Sequence, residues 1–497
     1  GDVYKRQIVP GVTVAKNEGY KTIISIRGVG NETNQNAIAA PSVAFHMDGV
    51  FIASPFAIST DFLDVERLEV IRGPQGTLFG QNSTGGAINL ISKKPTTEGS
   101  EGKLSVTYGD YNLRKVSASN NIVVNDKIAT RFSVSSTTRD GFTENVFTGQ
   151  DLDDANNKSV RTDWMFDLND TSSLRVFGQF FKVDRNGAAI RGIDDQSSGM
   201  RKLSQDTISQ HDLSSMVVAA IYEADLGFAN LKMIGSVQED DISVTRDNDR
   251  HNYLDPVLSI PGLGAGATYQ RSEFRPETSL VDTTTFEINL ISIEPIEGKL
   301  DWTVGAFYMD HEIENHIRGY RDNDGTGRLK YECSESYADP TYCYEHDFGI
   351  PGRFDVFAPS ADWDFVTDSF PTRESYSIYG QTTLNVSDEF RIISGLRYSE
   401  DKFTSDVTNF FNVQEYDLAG ESDEVTSRVV AEVDFSDDIM VYFALAKGYK
   451  PGGSNLTFGF TEEEDIASGT PVAPAMVFPT FESETVDSVE FGLKSTI

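Results

Sequence analysis

Cysteine is nearly absent from this chain, with two among 497 residues. That excludes a disulfide scaffold and a cysteine-ligated zinc site. Basic residues are scarce too, 42 Lys and Arg against 77 Asp and Glu, for a formal net charge of −35. Nucleic acid is excluded as a partner, because phosphate backbones are held by basic patches. Long apolar runs are missing. The longest uncharged stretches, 73–92 and 466–481, are broken by Gly, Asn, Ser or Pro, and the mean hydropathy is −0.33. No segment can cross a bilayer as a helix. Catalytic constellations are missing as well. The six histidines (46, 211, 251, 311, 316 and 346) are scattered, and His311 and His316, five apart on one predicted strand, point to opposite faces. No Gly-x-Ser-x-Gly elbow occurs. The run from Asn82 through Gly86 lacks the Lys-Ser/Thr ending of a phosphate loop. The chain is therefore not expected to be an enzyme, or to hold a metal or cofactor.

What is present is glycine, alternation and an uneven spread of charge. Residues 1–97 carry 9 Lys+Arg and 8 Asp+Glu, whereas the other 400 carry 33 and 69. The break near 95–99 marks a compositional boundary. Residues 1–7 fit neither half and read as non-native. Beyond the boundary one kind of segment recurs. Ile128, Thr130, Phe132 and Val134 alternate with Ala129, Arg131, Ser133 and Ser135. Trp302, Val304, Ala306 and Tyr308 share one face, and Val489, Phe491 and Leu493 oppose Ser488, Glu490, Gly492 and Lys494. Side chains of a strand point alternately to opposite faces, so this is a sheet with one apolar and one polar side.

About fourteen such strands are predicted, near 102–109, 112–124, 127–138, 158–168, 172–184, 213–226, 228–246, 279–292, 298–318, 373–386, 388–402, 424–436, 438–449 and 484–495. A soluble sandwich would alternate in the same way. Three features favour a barrel in a membrane. Many segments exceed the usual five or six residues. Tight turns (125–127, 386–389, 435–439) alternate with long connections (185–212, 247–278, 320–371, 450–483), as in barrels with short periplasmic turns and long external loops. The polar faces carry Arg, Gln, Glu and Lys, which suits a hydrated or plugged lumen.

The first 97 residues are more specific. They read Ile-Ile-Ser-Ile-Arg-Gly-Val-Gly over 23–30, Val-Ala-Phe-His-Met-Asp-Gly-Val over 43–50, and Glu-Val-Ile-Arg-Gly-Pro-Gln-Gly-Thr-Leu-Phe-Gly over 69–80, closing on Gly-Gly-Ala-Ile-Asn-Leu-Ile-Ser-Lys-Lys-Pro over 85–95. Residues 65–71 are predicted as a strand that Gly73-Pro74 ends. Pro74 is placed to start a short helix that Gly80 caps, and Gly85-Gly86 turn the chain into a further strand. In order and spacing this resembles the plug domain of TonB-dependent outer-membrane receptors. Later pieces, including Gly-Leu-Arg-Tyr over 395–398 and Lys-Gly-Tyr-Lys-Pro-Gly-Gly over 447–453, are similar to that family's barrel.

The resemblance implies a mostly β fold. A transmembrane antiparallel β-barrel of about 22 strands, some fourteen present here, would surround an N-terminal α/β plug. Residues 1–97 would be the plug and 98–497 the barrel, with both ends cut. The signal peptide and the TonB box would be missing, and about eight strands would lie beyond residue 497, leaving an open, curled sheet. The residues carrying the plug signature are Arg27, Gly28, Asp48, Gly49, Glu69, Arg72, Gly73, Pro74, Gly76, Gly80, Gly85 and Gly86. The family's plug arginines pair with barrel glutamates as a latch, which makes Arg27, Arg72 and Glu490 the candidates.

The function implied is uptake of a scarce ligand across the bacterial outer membrane, driven by the TonB-ExbB-ExbD complex. Ferric siderophores are the commonest cargo of the family, with cobalamin, haem and oligosaccharides as alternatives. A passive porin and a secreted β-rich enzyme or adhesin are the rival readings; a separate plug argues against the porin, and fractionation separates the other. Outer-membrane lipid and lipopolysaccharide would surround the barrel. Segment 320–370 holds 11 Asp+Glu, 4 Lys+Arg and 11 aromatic residues. Tyr331, Tyr337, Tyr342, Tyr344 and Trp363 could grip a ligand or form the loop's own small core. Cys333 and Cys343 lie in the same loop, and an extracytoplasmic location permits a disulfide between them.

Overall fold

The computed structural model describes residues 9–17, 21–30, 40–59, 62–192, 195, 197, 199–247, 250, 273–321, 365–409, 414–436, 438–454 and 480–495, with short pieces at 459–461, 464–465, 470–471 and 475–477. Short strands separated by glycine turns come first. β1 (Val12–Asn17), β2 (Lys21–Ile26) and β3 (Val29–Gly30) form one antiparallel sheet. β4 (Val43–Met47), β5 (Val50–Ile52), β6 (Val65–Arg72) and β7 (Gly86–Ser92) form a second, in the order β5-β4-β7-β6, with β4 and β7 parallel. The turn between β2 and β3 has Arg27 at φ +54° and Gly28 at +83°; that between β4 and β5 has Asp48 at +55° and Gly49 at +87°. Two consecutive left-handed residues are what a tight hairpin turn requires.

The short helix predicted from Pro74 does not form. Residues 73–85 are a closed loop, with one bond of helical spacing, from Phe79 N–H to the Gln75 carbonyl. Two further amides close the loop on itself, Gly73 N–H to the Gly85 carbonyl and Gln75 N–H to that of Ser83. Among the described residues of this region the only helical element is a 3-10 turn, Ala57–Ser59.

Fourteen long strands follow: β8 (Glu101–Gly109), β9 (Leu113–Asn125), β10 (Ile128–Arg139), β11 (Ala155–Asn169), β12 (Ser172–Arg185), β13 (Gln210–Asp225) and β14 (Ala229–Asp247). They continue with β15 (Glu273–Ser292), β16 (Leu300–Arg321), β17 (Phe365–Asn385), β18 (Phe390–Asn409), β19 (Gln414–Ser436), β20 (Ile439–Lys450) and β21 (Glu484–Ser495). Each pairs antiparallel with its neighbours in the chain, giving one sheet that runs from β8 to β21 in sequence order. Its two edge strands have no further partner among the described residues, so the sheet is open.

The alternation sorts as a lipid-facing wall requires. Phe132 is 46% exposed and Val134 43%, while Arg131, Ser133 and Ser135 are buried. Val237, Val304, Ile378, Leu396, Leu445 and Phe491 are likewise exposed on the outer face. Between the edges the backbone is paired along nearly continuous ladders, as hydrocarbon demands.

Several strands run further than the alternation does. β18 and β19 stay in register beyond Phe403, with Thr404 opposite Ala419 and Asp406 opposite Asp417. The outward positions there, Lys402, Thr404 and Asp406, are exposed and polar while Ser405 and Val407 stay buried, so the ladder continues while the apolar period fades. The inner face is also not uniformly polar. Phe177, Val217, Ala219, Ile221 and Ile234 of the wall close on Ile26, Val43, Phe45, Met47, Val50, Ile52, Ile88 and Leu90 in one buried cluster. The N-terminal unit therefore sits within the curve of the sheet.

Candidate functional site

The contact between the inner unit and the wall is the site. At its centre lies Asp48, carried into the wall by the left-handed turn after β4. One carboxylate oxygen accepts the Ser92 N–H at 2.9 Å and stands 3.4 Å from Arg175 Nη1. The other accepts Arg161 Nη2 at 2.7 Å. Both guanidiniums also bind Asp163, at 3.1 Å from Arg161 and 2.6 Å from Arg175. Arg161 lies 4.1 Å above the Phe177 ring. All four side chains are buried. Two cations and two anions cancel, which is what makes such burial tolerable.

A second tie joins Asp64, in the left-handed region at φ +50°, to Arg131 of β10. Arg131 Nη1 also reaches Glu101, at 3.1 Å. Hydrogen bonds to neutral acceptors complete the seat. Arg428 donates to Gln75 at 2.8 Å, Gln238 to the Phe51 carbonyl at 2.8 Å, and Asn82 N–H to the Tyr449 carbonyl at 3.1 Å. Gly80, at φ +75°, lets Arg397 lie across it, for a Cβ there would come 2.8 Å from Nη2.

Arg27 and Glu490 meet. Nη1 donates to Oε2 at 2.8 Å and Nη2 to Oε1 at 3.1 Å, a bidentate pair to which Tyr442 adds an O–H bond at 2.6 Å. The pair is half-exposed. Arg72 does not join it; it is exposed and lines the same cavity of about 250 Å³. Glu69 takes bonds from Arg67 and Asn89 within its own sheet, and Arg67 holds its carboxyl below the usual range. Gly76 passes the wall so closely that a Cβ would stand 2.9 Å from the Lys447 carbonyl oxygen, and Gly85 would meet that of Val29 at 2.9 Å. Tyr331, Tyr337, Tyr342, Tyr344, Trp363, Cys333 and Cys343 lie outside the described residues. Sequence reading missed Arg161, Asp163, Arg175, Asp64 and Arg131. The available signal for Arg131, Arg161, Asp163 and Arg175 was their place on inward positions of alternating strands, which shows the face and not the partner; Asp64, in the turn before β6, carried none.

His46 of β4 is buried between the Phe51 and Phe79 rings, 5.4 and 5.2 Å away, and its Nδ1 has no hydrogen-bond partner among the described residues. Desolvation first, and the Arg397 charge second, push its pKa down to about 3. The unfolded imidazole binds a proton near pH 6.5 and the folded one does not, so folding of the inner unit weakens as pH falls from there toward 3, by about 1.4 kcal/mol per unit. His46→Phe is expected to flatten that slope, recovering about 2 kcal/mol at pH 5, read from urea-induced unfolding of the inner unit.

No step of covalent chemistry is offered by these groups; they hold one body inside another. A family described as TonB dependent receptor-like, beta-barrel, matches residues 73–496, and the TonB-dependent Receptor Plug Domain matches residues 2–87. The chain belongs to the TonB-dependent receptor family. The members are non-enzymatic transporters of the bacterial outer membrane, and the inner unit is this receptor's plug. The receptor is 24% identical over 468 residues to the pesticin receptor of Yersinia enterocolitica, covering 90% of this chain and 58% of the relative. It thus spans less than two thirds of that protein. Two solved structures share the fold: the ferric yersiniabactin uptake receptor FyuA from Yersinia pestis and the siderophore receptor PiuA from Acinetobacter baumannii. The first has TM-score 0.75 at 17% identity and covers 99% of this chain and 66% of that one. The second has TM-score 0.69, also at 17%, and covers 99% and 67%.

Proposed function

We propose that the protein carries a ferric siderophore across the outer membrane, using energy delivered by the TonB-ExbB-ExbD complex. Residues 1–97 act as the plug and 98–497 as the barrel. The observation that carries this reading is the filled bore: a separate sheet is seated against the inner wall by the buried Asp48 cluster. A passive pore has no use for such an obstruction. The relatives named as siderophore receptors support the cargo. Aromatic side chains of the long loop, Tyr331, Tyr337, Tyr342, Tyr344 and Trp363, would face the ligand, with Cys333 and Cys343 joined to close that loop.

Arg27 and Glu490 act as the latch, with Arg72 alongside. An exposed ion pair contributes about 1 kcal/mol or less, so it can be broken repeatedly without unseating the plug. Glu490→Gln is expected to leave thermal stability nearly unchanged while raising protease cleavage of the β1–β3 segment several-fold. Unchanged cleavage together with unchanged uptake would remove the latch.

Uptake of radioactive iron as a siderophore chelate, in cells making the receptor with and without TonB, tests the function. Accumulation that vanishes without TonB is expected. Equal accumulation in both strains would sink active transport. TonB-dependent uptake of labelled cobalamin or haem, but no siderophore, would replace the cargo and leave the transport reading standing.

A further inference from the structure

The cavity of about 250 Å³ beneath the latch is unlike the rest of the molecule in its charge. The chain as a whole is strongly acidic, but this cavity is lined by four cations (Arg27, Arg72, Arg428 and Lys494) and two carboxylates, Glu432 and Glu490. Both carboxylates are already engaged. Glu490 is held by Arg27 and Tyr442, and Glu432 accepts a short hydrogen bond from Arg391, outside the cavity lining.

Among the described residues three cations make no direct ion pair with a carboxylate, although the charges of Glu432 and Glu490 reach Arg428 and that of Arg72 reaches Glu490. Arg428 donates to the neutral Gln75 side chain, Lys494 lies 5.5 Å from the Tyr442 ring centroid, and Arg72 lines the cavity wall. Arg72 belongs to the plug, whereas Arg428 and Lys494 belong to barrel strands β19 and β21. Like charges gathered around a shared cavity repel unless an anion sits among them, and guanidinium groups match planar oxyanions in geometry.

We propose that this cavity is an oxyanion site, taking a small dicarboxylate or a phosphate between Arg72 of the plug and Arg428 and Lys494 of the wall. The volume is ample for either. The bound anion ties plug to barrel beside the latch, so it favours the seated plug by mass action. It is distinct from cargo capture, because the cavity lies at the end of the sheet that carries the short turns, near residues 436–439.

The test uses the full chain in detergent, titrated with succinate and with inorganic phosphate at constant ionic strength. Binding is followed by calorimetry, and plug seating by protease protection. Saturable one-to-one binding with increased protection is expected. Arg428→Gln should weaken it about tenfold, and so should Lys494→Gln, which touches only a ring and cannot disturb folding through Gln75. Arg72→Gln should abolish the added protection. Tighter succinate than phosphate assigns the carboxylate class, and the reverse assigns phosphate. Absence of saturable binding overturns the site. So does affinity unchanged in all three variants, or equal protection from chloride at the same ionic strength.

Discussion

An Asp48→Ala variant is expected to lose about 3–5 kcal/mol of plug seating, the cost of breaking a buried ion cluster by removing one member. The geometry explains the size. With Asp48 gone, Arg161 and Arg175 share one carboxylate, Asp163, and an uncompensated positive charge stays in a dry interface. The Ser92 amide loses its acceptor as well. Shortening the side chain alone cannot produce such a loss, since the turn at φ +55° and +87° is kept by Gly49 and Ala pays only a modest left-handed penalty. Charge balance can be checked separately. Adding Arg175→Met to Asp48→Ala removes the surplus cation and should recover more than half of the lost free energy. Urea-induced plug release, monitored as conductance through single receptors in a planar bilayer, gives both numbers. A single variant that costs less than about 1 kcal/mol, the range of an exposed pair, would show that the cluster does not hold the plug.

That cluster also marks where sequence reading stops. The strands were legible because lipid imposes a period of two: Phe132 and Val134 could face only outward once Arg131 and Ser133 faced in. The same rule gives no signal where the outward positions leave lipid and turn polar, as at Lys402, Thr404 and Asp406, which is why the outer parts of β18 and β19 look like loop in the sequence. Inside the lumen, period two identifies which residues point inward and says nothing of their partners. Asp48 and Arg161 are 113 positions apart, and their meeting depends on how the plug is rotated within the wall. The apolar inward patch around Phe177 and Ile221 is a similar case, intelligible only once the plug sheet lies against it. Glycines of the loop 73–85 were legible as turn formers. That the loop would not wind into a helix was not, because the deciding contacts, such as Gly76 against the Lys447 carbonyl, are with the wall.

Gly86→Ala is the second substitution with a large expected effect, and it bears on the plug from within. Gly86 opens β7, the strand that holds β4 on one side and β6 on the other, with φ at +142°. A Cβ at that position would stand 2.3 Å from the Ile71 carbonyl oxygen and 3.1 Å from Ile26 Cδ1. The first of these is backbone and cannot rotate away. Conformational strain alone costs roughly 1–3 kcal/mol for a non-glycine residue held in such a region, and the clash must in addition push β6 off β7. The Arg72–Gly86 pairing at the end of the ladder goes first, and with it the position of the 73–85 loop that carries Gln75 and Gly80 to the wall. Gly28→Ala makes the comparison decisive. It shares a left-handed φ, +83°, but nothing lies within 4 Å of its Cβ, so only the local penalty of about 1 kcal/mol applies. Gly86→Ala should therefore leave the plug unseated at urea concentrations that Gly28→Ala survives, with the barrel ladder intact by circular dichroism. Equal losses at the two positions would mean that φ alone sets the cost and that β6 and β7 are free to separate.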